Sequence, residues 1–313
     1  RQWQVVKEEY FTATGRCAVK TQTGLVLALK YHLSDNERLT EQMLRKLLRD
    51  NKNKLNTGFV GTPLLCNVLT EHGMTDLAYR LLLNEEYPGW LHEVKLGATT
   101  VWERWNSLDE NGRISSTGMN SLNHYSYGAV LEWIFRHVAG IDVTEQGPGG
   151  KMMRISPKVD YKLGSASAVY DSASGCYRCG WQIEKGDQIT VTVTVPFGAK
   201  AQVILPYAPD SVYHDTDNPL FETVENGICC VKAGQYTVTY KAASPLKKSY
   251  SVDSTLEDLL AEPAIRAFLS NMMEVDMIPD LAYGLTLRQG AEAFAGGVSA
   301  EQAQRLNALL EEF

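Results

Sequence analysis

The chain has 313 residues, 44% hydrophobic and 21% charged, with a formal net charge of −7. That composition supports buried cores and excludes a disordered chain. Residues 1–250 carry 26 acidic and 27 basic side chains, and residues 251–313 carry 11 acidic and 3 basic, so no basic stripe argues for nucleic acid.

The length predicts two domains with an appendage. Residues from about 5 to 140 read as helical. Leu25, Val26, Leu29 and Leu33 recur at helical spacing over Thr21–Leu33, and Leu39, Met43, Leu47 and Leu48 do so over Glu37–Lys54. Thr62-Pro63 reads as an N-cap followed by proline, opening a helix that ends at Gly73. Thr75–Glu86 is helical and stops before Pro88-Gly89. A non-helical stretch follows from Pro88 to about Asn123, with a turn at Leu108–Gly112, and Tyr127–Ala139 is helical again. Helices of similar length on short connections predict a bundle or toroid.

Gln146-Gly-Pro-Gly-Gly150 marks a boundary, giving domains 1–145, 146–250 and 251–313. Gln188–Val195 alternates polar and apolar, and Ala201–Leu205, Ile228–Val231 and Gln235–Tyr240 also read as strands. They predict an antiparallel β-sandwich. Helices return at Thr255–Ala261, Pro263–Met273, Leu287–Ala295 and Ser299–Glu312, the last opened by the capping box Ser299–Gln302. The fold class is thus multi-domain α + β, with a small acidic helical appendage.

No apolar run approaches the roughly 18 residues that span a bilayer, so no membrane partner is expected. No signal peptide is visible. Cys176-Tyr-Arg-Cys179 has the spacing of half a zinc site, but no second pair follows at zinc spacing. The six cysteines are expected to be buried free thiols in a reducing compartment, which points to the cytoplasm. No metal or cofactor is expected.

The chemistry concentrates between Trp90 and Trp133, which hold four of the six tryptophans together with His92, Glu93, Glu103, Arg104, His124 and Tyr125. Aromatic faces stack on sugar C–H faces, and carboxylates and histidines bind hydroxyls. Glu103 lies between Trp102 and Trp105, where apolar flanks could tune a carboxyl for acid or base work, although an ion pair with Arg104 or a nearby backbone group accounts for the same pattern. His92-Glu93 is not a metalloprotease motif, because position 96 is Leu.

Several segments then follow one another in a familiar order: Thr57-Gly-Phe-Val-Gly-Thr-Pro63, Asp76–Leu82, Glu86–Leu91, Gly97-Ala-Thr-Thr-Val-Trp-Glu-Arg-Trp105 and Gly118–Tyr125. Together they closely resemble bacterial α-L-rhamnosidases of glycoside hydrolase family 78, over roughly residues 10–245. The resemblance implies part of an (α/α)6 barrel followed by a β-sandwich. It implies that Glu103 is the general base of an inverting hydrolysis, that His124 contacts the rhamnose, and that Trp102 and Trp105 wall the pocket. The implied partners are rhamnose-containing glycosides or oligosaccharides.

The family's general acid lies in an acidic, Arg- and Trp-rich motif in the first half of its barrel, and that half is missing here. The chain alone is therefore expected to be inactive, and the exposed helix faces of a half-barrel are expected to favour self-association. Two other readings stay open: a noncatalytic carbohydrate-binding or scaffold protein, and a barrel glycosidase for another sugar.

Overall fold

Local caps and turns decide where the expected helices start and stop. The computed structural model describes residues 2–109, 111–115, 118–215, 217–294, 296–311 and 313. The helices α1 (Gln2–Tyr10), α2 (Gln22–Lys30), α3 (Glu37–Asp50), α4 (Thr62–Glu71) and α5 (Thr75–Leu82) open the chain. The Thr21 hydroxyl caps α2 by accepting the Gly24 amide at 3.0 Å, and Asn36 caps α3 by accepting from Leu39 at 3.1 Å. α2 packs on α3 and α4, and α4 packs on α5. Leu25, Leu29, Leu44, Leu48, Leu65 and Leu69 are almost fully buried between them. Each such side chain contributes about 1.5–3 kcal/mol of transfer energy.

Several helix boundaries differ from expectation, among them the end of α2 at Lys30 and not Leu33. Thr62 is the first helical residue of α4, not its cap; Gly61 takes the cap position, and the Thr62 hydroxyl donates to the Gly58 carbonyl at 2.8 Å. α3 stops four residues short of Lys54, because Lys52 and Asn53 take left-handed φ values of 54° and 53°. α5 ends at Leu82, after which the Asn84 side chain accepts the Glu86 amide at 3.2 Å and donates to the Pro88 carbonyl at 3.0 Å. A short helix, α6 (Trp90–Lys95), occupies the start of the stretch expected to be non-helical. The last helix of this region is composite: a 3-10 turn over Ser126–Ala129, α7 (Val130–Trp133) and a π turn over Ile134–Val138.

Gly140 then turns the chain into the sheets with φ +81°, where a Cβ would lie 2.2 Å from the Pro157 nitrogen. One sheet has five strands: β1 (Ile141–Val143), β2 (Met152–Ile155), β6 (Lys200–Ile204), β8 (Ile228–Val231) and β7 (Val224–Glu225), in that order. The other orders β3 (Ser165–Ser172), β4 (Gly175–Glu184), β5 (Gln188–Val195) and β9 (Gly234–Lys241). The sandwich is not wholly antiparallel: β2 and β6 run parallel, because the chain builds β3, β4 and β5 in the opposite sheet before it returns.

Tyr177, Cys179 and Trp181 of β4 point inward with Ile189, Val191 and Val193 of β5. Residues three apart on a strand face opposite sides, so Cys176 and Cys179 do not share a ligand-binding face. All six cysteines are free, but Cys230 is exposed and Cys176 half-buried, because each falls on the outward phase of its strand.

The helical layer and the sandwich share one core. The Trp181 indole donates to the Val138 carbonyl at 2.7 Å, and the Tyr79 hydroxyl donates to the Lys158 carbonyl. Residues 1–246 form one compact unit and residues 247–313 a second.

The second unit has its own core, including Val252, Leu259, Ile265, Leu269 and Leu310. It contains α8 (Leu256–Ala261), α9 (Pro263–Ser270), α10 (Leu287–Phe294) and α11 (Ala300–Leu310). The Ser299–Gln302 capping box opens α11 as expected. Arg1, Glu110 of the Leu108–Gly112 turn, and the expected helix ends Ala295 and Glu312 lie outside the described residues. Among the described residues, no helix is long and apolar enough to cross a membrane.

Candidate active site

The site is a loop clamped at both ends. α6 ends in a Schellman turn at Gly97 (φ 87°): the Ala98 amide donates to the Glu93 carbonyl at 3.0 Å and the Gly97 amide to that of Val94 at 2.9 Å. The chain runs on through Val101, Trp102 and Glu103 and bonds to the segment from Ser121 to His124. The Glu103 amide donates to the Ser121 carbonyl at 2.9 Å, and the His124 amide donates to the Val101 carbonyl at 2.8 Å. These two bonds tie the backbones of Glu103 and His124 into one loop system.

Behind Glu103, the fully buried Ser107 ties the loop together. Its hydroxyl accepts the Arg104 amide at 3.1 Å and donates to Asn120 Oδ1 at 2.7 Å, and Asn120 Nδ2 returns a bond to the Ser107 carbonyl at 2.9 Å. Such a network fixes a loop that has no core of its own.

Aromatic rings build the wall. Trp105 stacks on Tyr127 with centroids 4.0 Å apart and meets the edge of Trp90 at 5.4 Å. Its indole donates to the Thr57 carbonyl at 3.0 Å, and the Trp90 indole donates to the Tyr127 carbonyl at 3.0 Å. The Phe59 ring stacks on His124 at 4.8 Å, and Tyr125 stacks on it at 5.2 Å. The Ser126 amide donates to His124 Nδ1 at 3.3 Å, which in the neutral ring leaves Nε2 carrying the proton as a donor. Trp105 also lines an open cavity of about 420 Å³ together with Asn51, Lys54, Thr57, Gly58 and Tyr87.

The four sequence-predicted residues thus lie on one loop system, in different environments. Glu103 and His124 are half-buried. Trp102 is 3% exposed, so it is packed inside and not open to a pocket. Trp105 is 9% exposed and borders the cavity. Among the described residues, no cluster of His, Cys, Asp or Glu has the makings of a metal site.

Three neighbours carry no role in the sequence reading: Phe59, Tyr127 and Glu93. Glu93 is 4% exposed, and burial pushes its carboxyl up from 4.5 to about 8, partly offset by a hydrogen bond from the Trp102 amide. Burial also raises the Tyr127 hydroxyl, and both Glu93 and Glu103 raise it further, so both carboxylates act on this one ring. The sequence signal was the Trp90–Glu93 spacing, which puts both residues on one face if the segment is helical.

A helical layer with Glu103, His124 and Trp105 on one loop system, continued into a β-sandwich, is the arrangement that two consecutive family models describe. Residues 3–138 match the family model of the bacterial alpha-L-rhamnosidase 6 hairpin glycosidase domain, and residues 140–218 match that of the bacterial alpha-L-rhamnosidase C-terminal domain. The chain belongs to the bacterial α-L-rhamnosidase family.

An alpha-L-rhamnosidase of Alteromonas sp. (strain LOR) is 39% identical over 221 residues, covering 69% of this chain and 23% of that protein. One from Formosa agariphila is 39% identical over 208 residues, covering 66% of this chain and 22% of that protein. The crystal structure of Streptomyces avermitilis alpha-L-rhamnosidase complexed with L-rhamnose superposes with a TM-score of 0.69 at 32% identity, over 76% of this chain and 23% of that one. The chain therefore spans less than a quarter of the length of these relatives.

Proposed function

We propose that these residues form the base side of an inverting α-L-rhamnosidase site acting on rhamnose-containing glycosides. The observation that carries this reading is the pair of backbone bonds that ties the Glu103 segment to that of His124, with the Phe59 ring stacked on His124. In this reading Glu103 takes a proton from a water as that water attacks the anomeric carbon. His124 donates through Nε2 to a sugar hydroxyl, and Trp105 borders the sugar. A carboxylic acid on the opposite face of the ring protonates the departing oxygen. Inverting enzymes separate the two carboxyls by roughly 6.5–9.5 Å to admit the water.

Glu93 is not that acid, because a side chain 4% exposed does not reach a leaving group. The acid is assigned to sequence that the relatives carry beyond the segment matched here, so these 313 residues alone should hydrolyse no aryl α-L-rhamnoside above background. The L-rhamnose named for the Streptomyces avermitilis structure supports the choice of sugar.

The test is proton NMR of the first product released from an aryl α-L-rhamnoside by the complete polypeptide that the gene encodes. β-L-rhamnose should accumulate first. Initial release of the α-anomer, or no hydrolysis at all, would overturn the proposal.

A further inference from the structure

One exposed phenylalanine needs no explanation, but Phe59 is built into its place. It is 46% exposed and sits in the turn that leads into α4. That turn is pinned from several sides. The Thr62 amide and hydroxyl both donate to the Gly58 carbonyl, at 3.0 and 2.8 Å. The buried Thr57 hydroxyl lies 2.8 Å from that of Thr62. From the site loop, the Trp105 indole donates to the Thr57 carbonyl at 3.0 Å. Gly61 lies so close to α2 that a Cβ there would be 2.4 Å from Thr23 Oγ1.

From this turn the Phe59 ring reaches two other rings. It stacks on the His124 imidazole with centroids 4.8 Å apart and planes 11° apart, and it meets Tyr127 edge-on at 5.7 Å. Tyr127 is backed in turn by its stack on Trp105.

The imidazole needs such a contact. The His124 backbone is fixed by its bond to Val101, but the terminal torsion of a histidine is broad and roughly two-fold. The Ser126 amide selects the Nδ1 edge, yet at 3.3 Å that bond is long for an N–H donor and sets the ring plane only loosely. Tyr125 also stacks on the ring, but it is 85% exposed and adjacent in the chain. Phe59 is the stacking partner with a pinned turn behind it. Its face holds the imidazole plane while Ser126 holds the edge, and plane and edge together fix where Nε2 points.

We propose that Phe59 is a positioning residue that holds the stacked His124 ring so that Nε2 aims at the sugar hydroxyl. This rests on the reading of His124 as the donor to the sugar. Phe59 acts through His124 and not by a contact of its own with the substrate.

Two measurements test this. The first is site-resolved amide exchange on the 313-residue chain. The Ser126 amide reports whether Nδ1 stays in place, because its bond goes to that atom. Phe59→Leu should lower Ser126 protection at least ~5-fold, and Phe59→Tyr, which keeps the stacked ring, should preserve it. A folded Phe59→Leu with unchanged Ser126 protection would overturn the proposal.

The second is a double-mutant cycle in the complete encoded polypeptide, on an aryl α-L-rhamnoside. Phe59→Leu alone should lower kcat/KM by ~5–30-fold, and Phe59→Tyr should keep it within ~3-fold of wild type. In a His124→Ala background, Phe59→Leu should change kcat/KM by less than ~2-fold, because the residue it acts through is gone. Losses that multiply would mean that Phe59 works independently of His124, and would sink the claim. Should Phe59→Leu not fold, loss of Ser126 protection or of kcat/KM in Phe59→Tyr would sink it equally. Near-normal kcat/KM in His124→Ala would remove the reading of His124 as a sugar contact, yet the exchange result would still decide whether Phe59 holds the ring.

Discussion

Replacing Glu93 by Gln should make the protein more stable at high pH and slightly less stable at low pH. Burial raises the Glu93 carboxyl from 4.5 to about 8, so the folded state holds a proton that the unfolded state releases across that window. The stability this provides is fully present below pH 4.5 and is lost as pH rises through 8. At about 1.4 kcal/mol per pH unit, the shift sets an upper bound near 5 kcal/mol. Local opening of the loop relieves part of the penalty, and about half of the bound should be observed.

The side-chain amide introduced by Glu93→Gln does not ionise, but it leaves an NH2 group unpaired at a cost of about 1–2 kcal/mol. The variant should therefore be about 1 kcal/mol less stable than wild type at pH 5 and about 1–2 kcal/mol more stable at pH 9. Urea unfolding followed by tryptophan fluorescence reads the correct unit, because all six tryptophans lie between Trp3 and Trp181. His137 supplies an internal control. Burial pushes its ring down from 6.5 to about 4, so stability present above pH 6.5 is lost as pH falls through 4, equally in both proteins. A wild-type-minus-variant difference that stays constant within about 0.5 kcal/mol from pH 5 to 9 would refute the reasoning.

Two substitutions probe the frame around the site. Trp105→Phe keeps a ring against Tyr127 but removes the indole donor from the buried Thr57 carbonyl, and should cost about 1–3 kcal/mol in urea unfolding. Gly140→Ala forces a side chain into left-handed backbone with its Cβ 2.2 Å from the Pro157 nitrogen, and should cost at least ~3 kcal/mol; a melting temperature within a few degrees of wild type would contradict the geometry.

What was legible in the sequence depended on how local the signal is. The β5 strand reads correctly from Gln188 to Val195 because Thr and Val alternate strictly, and the Ser299 cap reads correctly because its partners are three residues apart. α6 escaped notice because six residues between Pro88 and Gly97 are too few to show a helical period. The parallel pairing of β2 with β6 escaped because alternation records which face is buried, not which strand is next.

The same limit applies at the site. The clustering of Glu103, His124 and the tryptophans is visible along the chain, but the stacking of Phe59 on His124 is not, since 65 residues separate them. His92-Glu93 is not a metal motif in the sequence, and nothing in it shows that Glu93 is buried. Its burial follows from α6, a helix whose six residues are too few to read from the sequence.

The central claim is that Glu103 removes a proton from the attacking water. Measuring kcat for Glu103→Gln in the complete encoded polypeptide, on an aryl α-L-rhamnoside, tests it most directly. The amide keeps the shape and the backbone bond of residue 103 but cannot accept the proton, so kcat should fall by roughly 10²–10⁴ with KM little changed. A kcat within a few-fold of wild type would contradict the account.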